Sequence, residues 1–147
     1  MLIRDLMNFG ARPALTEAQS FAAGRHRLII NNIANMQTPN YQQQDVSVPG
    51  FQKALREAVD RRRESAQGSD VGVFEMPETK ELVKGPRGFS TLNPRTDGQG
   101  ILYHDRNNRD MERLMQNLAE NGLQFRFATD VLRQQGELLR AAIAQRV

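Results

Sequence analysis

The last third of the chain leaves few choices of fold. From about Asn107 to Val147 there is no proline, and positions 111, 115, 118, 122, 125, 129, 132, 136, 139 and 143 keep alternating steps of four and three. That period lays one face of a continuous helix along a single line, as in a coiled coil. One line of the seam is large, with Met111, Leu118, Phe125, Leu132 and Leu139; the other narrows in its middle, through Met115, Gly122, Thr129, Gly136 and Ile143. A glycine costs a helix interior about 1 kcal/mol relative to alanine. Two of them inside one helix therefore predict either close approach by another helix or a break near Gly122. Beside the large line, Arg126, Arg133 and Arg140 repeat at heptad spacing, with Asp130 and Glu137 within helical reach. They read either as intrahelical ion pairs on a wet face or as bridges to a neighbouring protomer.

A second, shorter helix opens the chain. Pro13 suits a first turn, and Leu15, Ala18, Ala22, Ile29, Ile33 and Met36 then continue an apolar stripe. Arg25 and Asn32 interrupt it where a heptad would want apolar residues. Asn31, Asn32 and Asn35 cluster at its end, and because an asparagine amide competes for nearby backbone groups, the cluster predicts a helix stop. Thr38 precedes a proline and is driven out of the helical region; Pro39 fixes φ, and Asn40 tolerates positive φ. Thr38 to Tyr41 is therefore predicted to form a type II turn.

Between the helices, Phe51, Leu55 and Val59 predict a short helix at about 51–64, after Pro49-Gly50, fading into the polar stretch from Ser65 to Asp70. From Gly68 to Gly100, nine of 33 residues are Gly or Pro, which predicts turns, short strands such as Val71 to Phe74, or an isolated protomer without order there. The expected organisation is one structural domain in three parts: residues 1–41, the turn-rich 42–104, and the heptad helix of 105–147. The expected fold class is mainly α, with long N- and C-terminal helices paired antiparallel in coiled-coil fashion. Helices of 24 and 39 residues would run roughly 36 and 58 Å, so the longer one must project and leave seam for other subunits.

Composition narrows the function. With 39% hydrophobic residues, no Trp and a mean hydropathy of −0.61, a 147-residue chain is poorly supplied for a large core, and its stripes call for partners. The formal charge of +3 is spread, +2 over residues 1–41, zero over 42–104 and +1 over 105–147. The one basic run, Arg61-Arg62-Arg63, is flanked by Asp60 and Glu64 and reads as a solvated helix end rather than a phosphate contact. A basic helical module that binds nucleic acid or an acidic protein is the alternative reading. No cysteine is present, which excludes disulfides and thiolate metal sites. No apolar run approaches the ~18 residues of a membrane span, and Met1 to Gly10, with Asp5 inside it, lacks the pattern of a cleaved secretory signal. Neither His26 nor His104 has a metal-ligand partner at helical spacing, His104-Asp105 is too close in sequence for a dyad, and Pro77 interrupts the series Glu75, Glu78, Glu81. No catalytic, cofactor-binding or metal-binding residue is assigned, and the chain is expected not to be an enzyme.

The run Asn31-Asn32-Ile33-Ala34-Asn35-x-x-Thr38-Pro39-Asn40-Tyr41 resembles the N-terminal signature of the axial proteins of the bacterial flagellum, the rod, hook and hook-associated proteins. Asn40 stands where that signature carries glycine and keeps the positive-φ turn. Paired terminal helices are also similar to that family's layout. Within it, the short length and the run Asp110-Met111-Glu112-x-x-Met115-x-x-Leu118-Ala119-Glu120-Asn121-x-Leu123-x-Phe125 look most like a proximal rod subunit. The likeness covers both termini and hardly constrains residues 68–100. It implies a structural role in the basal body: export unfolded by the flagellar type III apparatus without a cleaved signal, then assembly in the periplasm. The subunit would meet itself, FliE, FlgC and further rod proteins along a torque-bearing shaft, with no nucleic acid and no membrane span of its own. The ten seam positions, Met111 to Ile143, are where that resemblance would put the assembly contacts.

Overall fold

Pro13 sits in the first turn of a 23-residue helix, α1 (Arg12–Ala34). The computed structural model describes residues 10–65, 73–85, 90–96 and 110–144. After α1 come β1 (Gln44–Asp45), α2 (Val48–Ser65), β2 (Leu82–Lys84), β3 (Ser90–Leu92), β4 (Arg95–Thr96) and the 34-residue α3 (Met111–Ala144). Strands β1 and β4 pair antiparallel, as do β2 and β3, giving two separate two-stranded ribbons among the described residues.

Helix α1 is the central element because it carries two apolar faces. Ala22 and Ile29, both buried, lie on the predicted stripe, and at about 100° per residue they share the face that meets α3. Phe21 and the partly buried Leu28 point the other way, into the core of Phe21, Val46, Phe51, Ala54 and Leu82. The rings of Phe21 and Phe51 stack with centroids 3.9 Å apart. Arg25 and Asn32 sit between the two faces, which is why both are buried despite breaking the stripe.

The terminal helices pair antiparallel. Gln19 Nε2 donates to Thr129 Oγ1 (3.0 Å), while Asn121 Nδ2, further back along α3, donates to the carbonyl of Ala22 (2.8 Å). Among the described elements this is the most extensive contact. Seven residues onward in each direction from Gln19 and Thr129 bring Arg12 level with Gly136, so the last turns of α3 extend past the first residue of α1. At 1.5 Å per residue the two helices measure roughly 35 and 51 Å. Asp110 caps α3, its Oδ1 accepting the Arg113 N–H (3.0 Å), so the helix begins later than Asn107. It runs unbroken through Gly122 and Gly136, so neither glycine marks a break.

Helix α2 begins three residues earlier than the apolar spacing indicates. Ser47 Oγ accepts the Gly50 N–H (3.0 Å), and the Ser47 N–H donates to Glu81 Oε2 (2.7 Å). In a capping box one helix supplies both groups; here the acidic half arrives from 34 residues away. The buried line of α2 is Phe51, Ala54, Ala58 and Arg62 rather than Phe51, Leu55 and Val59, which stay near its edge. Arg62 Nη1 reaches the Gly10 carbonyl while Phe51 meets Phe21, so α2 also runs antiparallel to α1. Of the strand expected at Val71 to Phe74, residues 71 and 72 lie outside the described residues, and Val73 and Phe74 are irregular. The strands form further on, where β2 and β3 can lay Leu82 and Leu92 against α1 and α2. Gly24 permits this approach, because a Cβ there would fall 2.5 Å from Leu92 Cδ1.

Glu17 holds β3 to α1. Its two carboxylate oxygens each accept the Ser90 N–H at 3.3 Å. Burial nevertheless dominates and pushes its pKa above the ordinary 4.5, the Ser90 hydrogen bonds only partly opposing it. A raised folded-state pKa favours the protonated carboxyl, so this contribution to stability is fully present below the unfolded value and is lost as pH rises through the folded one. Glu17→Gln is therefore expected to raise the denaturation midpoint at neutral pH, with the gain shrinking as pH falls towards 4.5. A gain that stayed constant across that range would remove the titration of Glu17 as its cause.

Candidate functional site

The asparagine cluster is a fastening for the chain reversal. Asn35 caps α1, its N–H donating to the Asn31 carbonyl (3.1 Å) and its Nδ2 to the same oxygen (2.9 Å). The Thr38 carbonyl accepts the Tyr41 N–H (3.3 Å), and Asn40 has φ +60°, as the predicted turn requires. Pro39 and Asn40 are exposed, Ile33 is half-buried, and Ala34 ends the helix.

The turn swings the chain back against α1, and Asn32 receives it. The buried Asn32 amide acts as a piece of strand: Nδ2 donates to the Gln44 carbonyl (2.8 Å), and Oδ1 accepts the Gln44 N–H (3.1 Å). Tyr41 Oη donates to the same Oδ1 (2.9 Å) and accepts from Asn31 Nδ2 (3.1 Å). Partial burial raises the Tyr41 pKa, which keeps the phenol a donor. Two turns back on α1, Arg25 Nε and Nη2 grip Asp45 Oδ1 and Oδ2 at 2.9 and 2.8 Å. Asn32 and Arg25 thus take hold of consecutive residues of β1, which passes the constraint to β4 through Gln44–Thr96 and Asp45–Arg95 pairing. The result is a defined exit path for the middle segment.

The ten seam positions are divided. Met111, Met115, Phe125 and Ile143 are exposed; Leu118, Gly122, Thr129, Leu132, Gly136 and Leu139 are half-buried. None is fully buried, because the contact with α1 runs through Leu114, Asn121 and Ala128, a heptad line one residue earlier. Among the described residues a Cβ at Gly122 or Gly136 would meet nothing within 4 Å, so neither glycine serves packing against them. Arg133 pairs with Asp130 on the wet face (3.3 Å), in line with the intrahelical reading. A second exposed apolar line, Leu123, Phe127 and Leu138, lies on the far side of α3, with Phe127 68% exposed.

A cleft of about 610 Å³ above β1 is lined by Arg25, Asp45, Glu81, Arg95, Arg113 and Glu120. Its charges are largely engaged with one another or with neighbours: Arg25 with Asp45, Arg95 with Glu81, Arg113 with Asp110. Among the described residues no group of three or more His, Asp or Glu could hold a metal. No helix among them is long and apolar enough to cross a membrane. His26 is exposed on α1, and His104 lies outside the described residues.

No family model matches the chain. It is, however, similar to a flagellar rod protein. Over 123 residues it is 27% identical to the flagellar basal body rod protein FlgB of Yersinia enterocolitica, with 84% of this chain and 85% of that one covered. Any 123-residue stretch of a 147-residue chain contains residues 25–123, so the likeness to FlgB takes in Arg25, the asparagine fastening and the start of α3. Sequence reasoning found the turn but missed what Asn32 and Arg25 do. The signal was present as two polar residues seven apart in an apolar stripe, a pattern that marks buried polar anchors when a partner segment returns to the helix.

Proposed function

We propose that this chain is an FlgB-type structural subunit of the proximal rod of the flagellar basal body, without catalytic activity, assembling with copies of itself through its terminal helices. The observation that carries this reading is the Asn32 fastening, which gives the signature run a mechanical purpose and lies within the stretch similar to FlgB. The run from Asp110 to Phe125 favours FlgB first and the neighbouring FlgC second; Phe125 stands where FlgB proteins often carry tyrosine. A torque-bearing rod needs a heterologous interface that repeats along a helical path without closing. The exposed Met111, Met115, Phe125 and Ile143, together with the Gly122 and Gly136 edge, are suited to one side of such a contact. Leu123, Phe127 and Leu138 are suited to another. FliE, FlgC and further rod proteins are the proposed partners, with the type III apparatus as exporter and the periplasm as the place of assembly.

The nucleic-acid alternative draws no support from the basic run. Arg62 turns inward to the Gly10 carbonyl, and Arg63 lies within 3.8 Å of Asp60. Deleting the gene is expected to abolish flagella, and a tagged copy should purify with basal bodies. A fully flagellated deletion strain, together with DNA affinity that falls steeply with salt, would overturn the rod reading.

A further inference from the structure

Asn121 occupies an unusual place in the α1–α3 contact. It is 0% exposed, its Nδ2 donates to the Ala22 carbonyl (2.8 Å), and its Oδ1 has no hydrogen-bond partner among the described residues. The next residue is Gly122, and this is the one Asn-Gly pair in the 147-residue sequence. We propose that Asn121 is a deamidation site gated by the pairing of α1 with α3, protected while the helices are closed and reactive while they are open.

The chemistry needs only water. The Gly122 backbone nitrogen gives up its proton and attacks Asn121 Cγ; the new C–N bond closes a succinimide as the Cγ–Nδ2 bond breaks and ammonia leaves. Water then opens the ring at either carbonyl, leaving aspartate or isoaspartate. Glycine makes this attack easy because no Cβ shields its nitrogen. Closed α3 blocks it twice. The helix commits the Gly122 N–H to a carbonyl one turn back and holds ψ at Asn121 far from the value that brings nitrogen to Cγ. The Ala22 carbonyl also holds the leaving amide in place.

Reaction makes closure difficult to recover. Aspartate would set a carboxylate oxygen against the Ala22 carbonyl in a fully buried site, where an unpaired charge is strongly unfavourable. Isoaspartate adds a methylene to the backbone in mid-helix. The reaction therefore limits the useful life of the open chain, whatever the chain assembles into.

The test holds the purified full-length chain in mildly alkaline buffer at physiological temperature, with and without guanidinium chloride, and follows amide-to-acid conversion by peptide mass mapping. Conversion at Asn121 is expected to be at least about tenfold slower without denaturant, in keeping with opening-limited chemistry. Asn117, which precedes Leu118 on the same helix, should lag behind Asn121 in denaturant. Gly122→Ala, whose Cβ meets nothing within 4 Å, should slow conversion in denaturant several-fold, by about the factor that a shielding Cβ imposes, while leaving the fold intact. Equal rates in the two conditions, no preference for Asn121 over Asn117, or an unslowed Gly122→Ala would each overturn the proposal. Hydrogen exchange supplies the second arm. Asn121→Asp should lose amide protection along the α1–α3 contact while Gly122→Ala keeps it, and full protection in Asn121→Asp would overturn the claimed consequence.

Discussion

Arg25→Ala is expected to cost about 3 kcal/mol and to lower the melting temperature by about 10 °C. The side chains of Arg25 and Asp45 are only 7% and 20% exposed, and their two hydrogen bonds are charge-assisted and parallel. Removing the guanidinium strands a partly buried carboxylate that also accepts the Val46 N–H (2.8 Å), so the loss falls on β1 and the start of the core as well as on the pair. Residual solvent at Asp45 keeps the estimate at the lower end of the range for broken buried pairs. Asp45→Asn should cost less, because an amide oxygen can still accept from Arg25 and from Val46. Chemical denaturation of the two variants beside the parent gives the check. A loss below about 1 kcal/mol for Arg25→Ala would mean that the pair behaves as a surface ion pair and that Asn32 alone secures the reversal.

The second large effect appears in assembly rather than stability. Gly122→Leu and Gly136→Leu place a long side chain where the described residues leave open space. Each removes a helical glycine, so the protomer should gain up to about 1 kcal/mol. On the proposed rod function, with a neighbouring helix packed along this edge, the same changes obstruct that helix, and swimming and basal-body incorporation should fall to nearly nothing while export continues. Opposite signs in the two measurements are the signature of a contact outside the protomer. Thermal melts of the purified variants and soft-agar swimming of the complemented strains read the two arms separately. Normal motility in both variants would move the assembly contact away from the glycine edge, towards the Leu123, Phe127 and Leu138 line or elsewhere.

Local patterns foretold much of the architecture. The heptad period and absence of proline required α3, and the asparagine cluster ended α1 at Ala34. Pro39 and Asn40 specified their turn, since φ and its tolerance belong to single residues. Helix α2 was foreseen in place but not in face, because alanines at 54 and 58 carry little weight in an apolar pattern yet permit close packing. The cap from Glu81 and the hold of Glu17 on Ser90 had no local signal, their partners lying 34 and 73 residues away.

What the sequence by itself determined is therefore what neighbours within a turn or two govern: that these helices form, where α1 ends, the turn after it, and the expectation that two apolar stripes would pair. Tertiary structure decided which line of α3 faces α1. The four-three pattern marked two lines, the large one from Met111 to Leu139 and the narrower one from Met115 to Ile143; the buried residues of α3 are Leu114, Asn121 and Ala128. A buried amide that finds the Ala22 carbonyl costs little, and small Ala128 lets the helices approach. The same reason made Arg25 and Asn32 read as flaws in a stripe. Burial of a polar group is stabilising or ruinous according to its partner, and the partner is chosen only when distant segments meet.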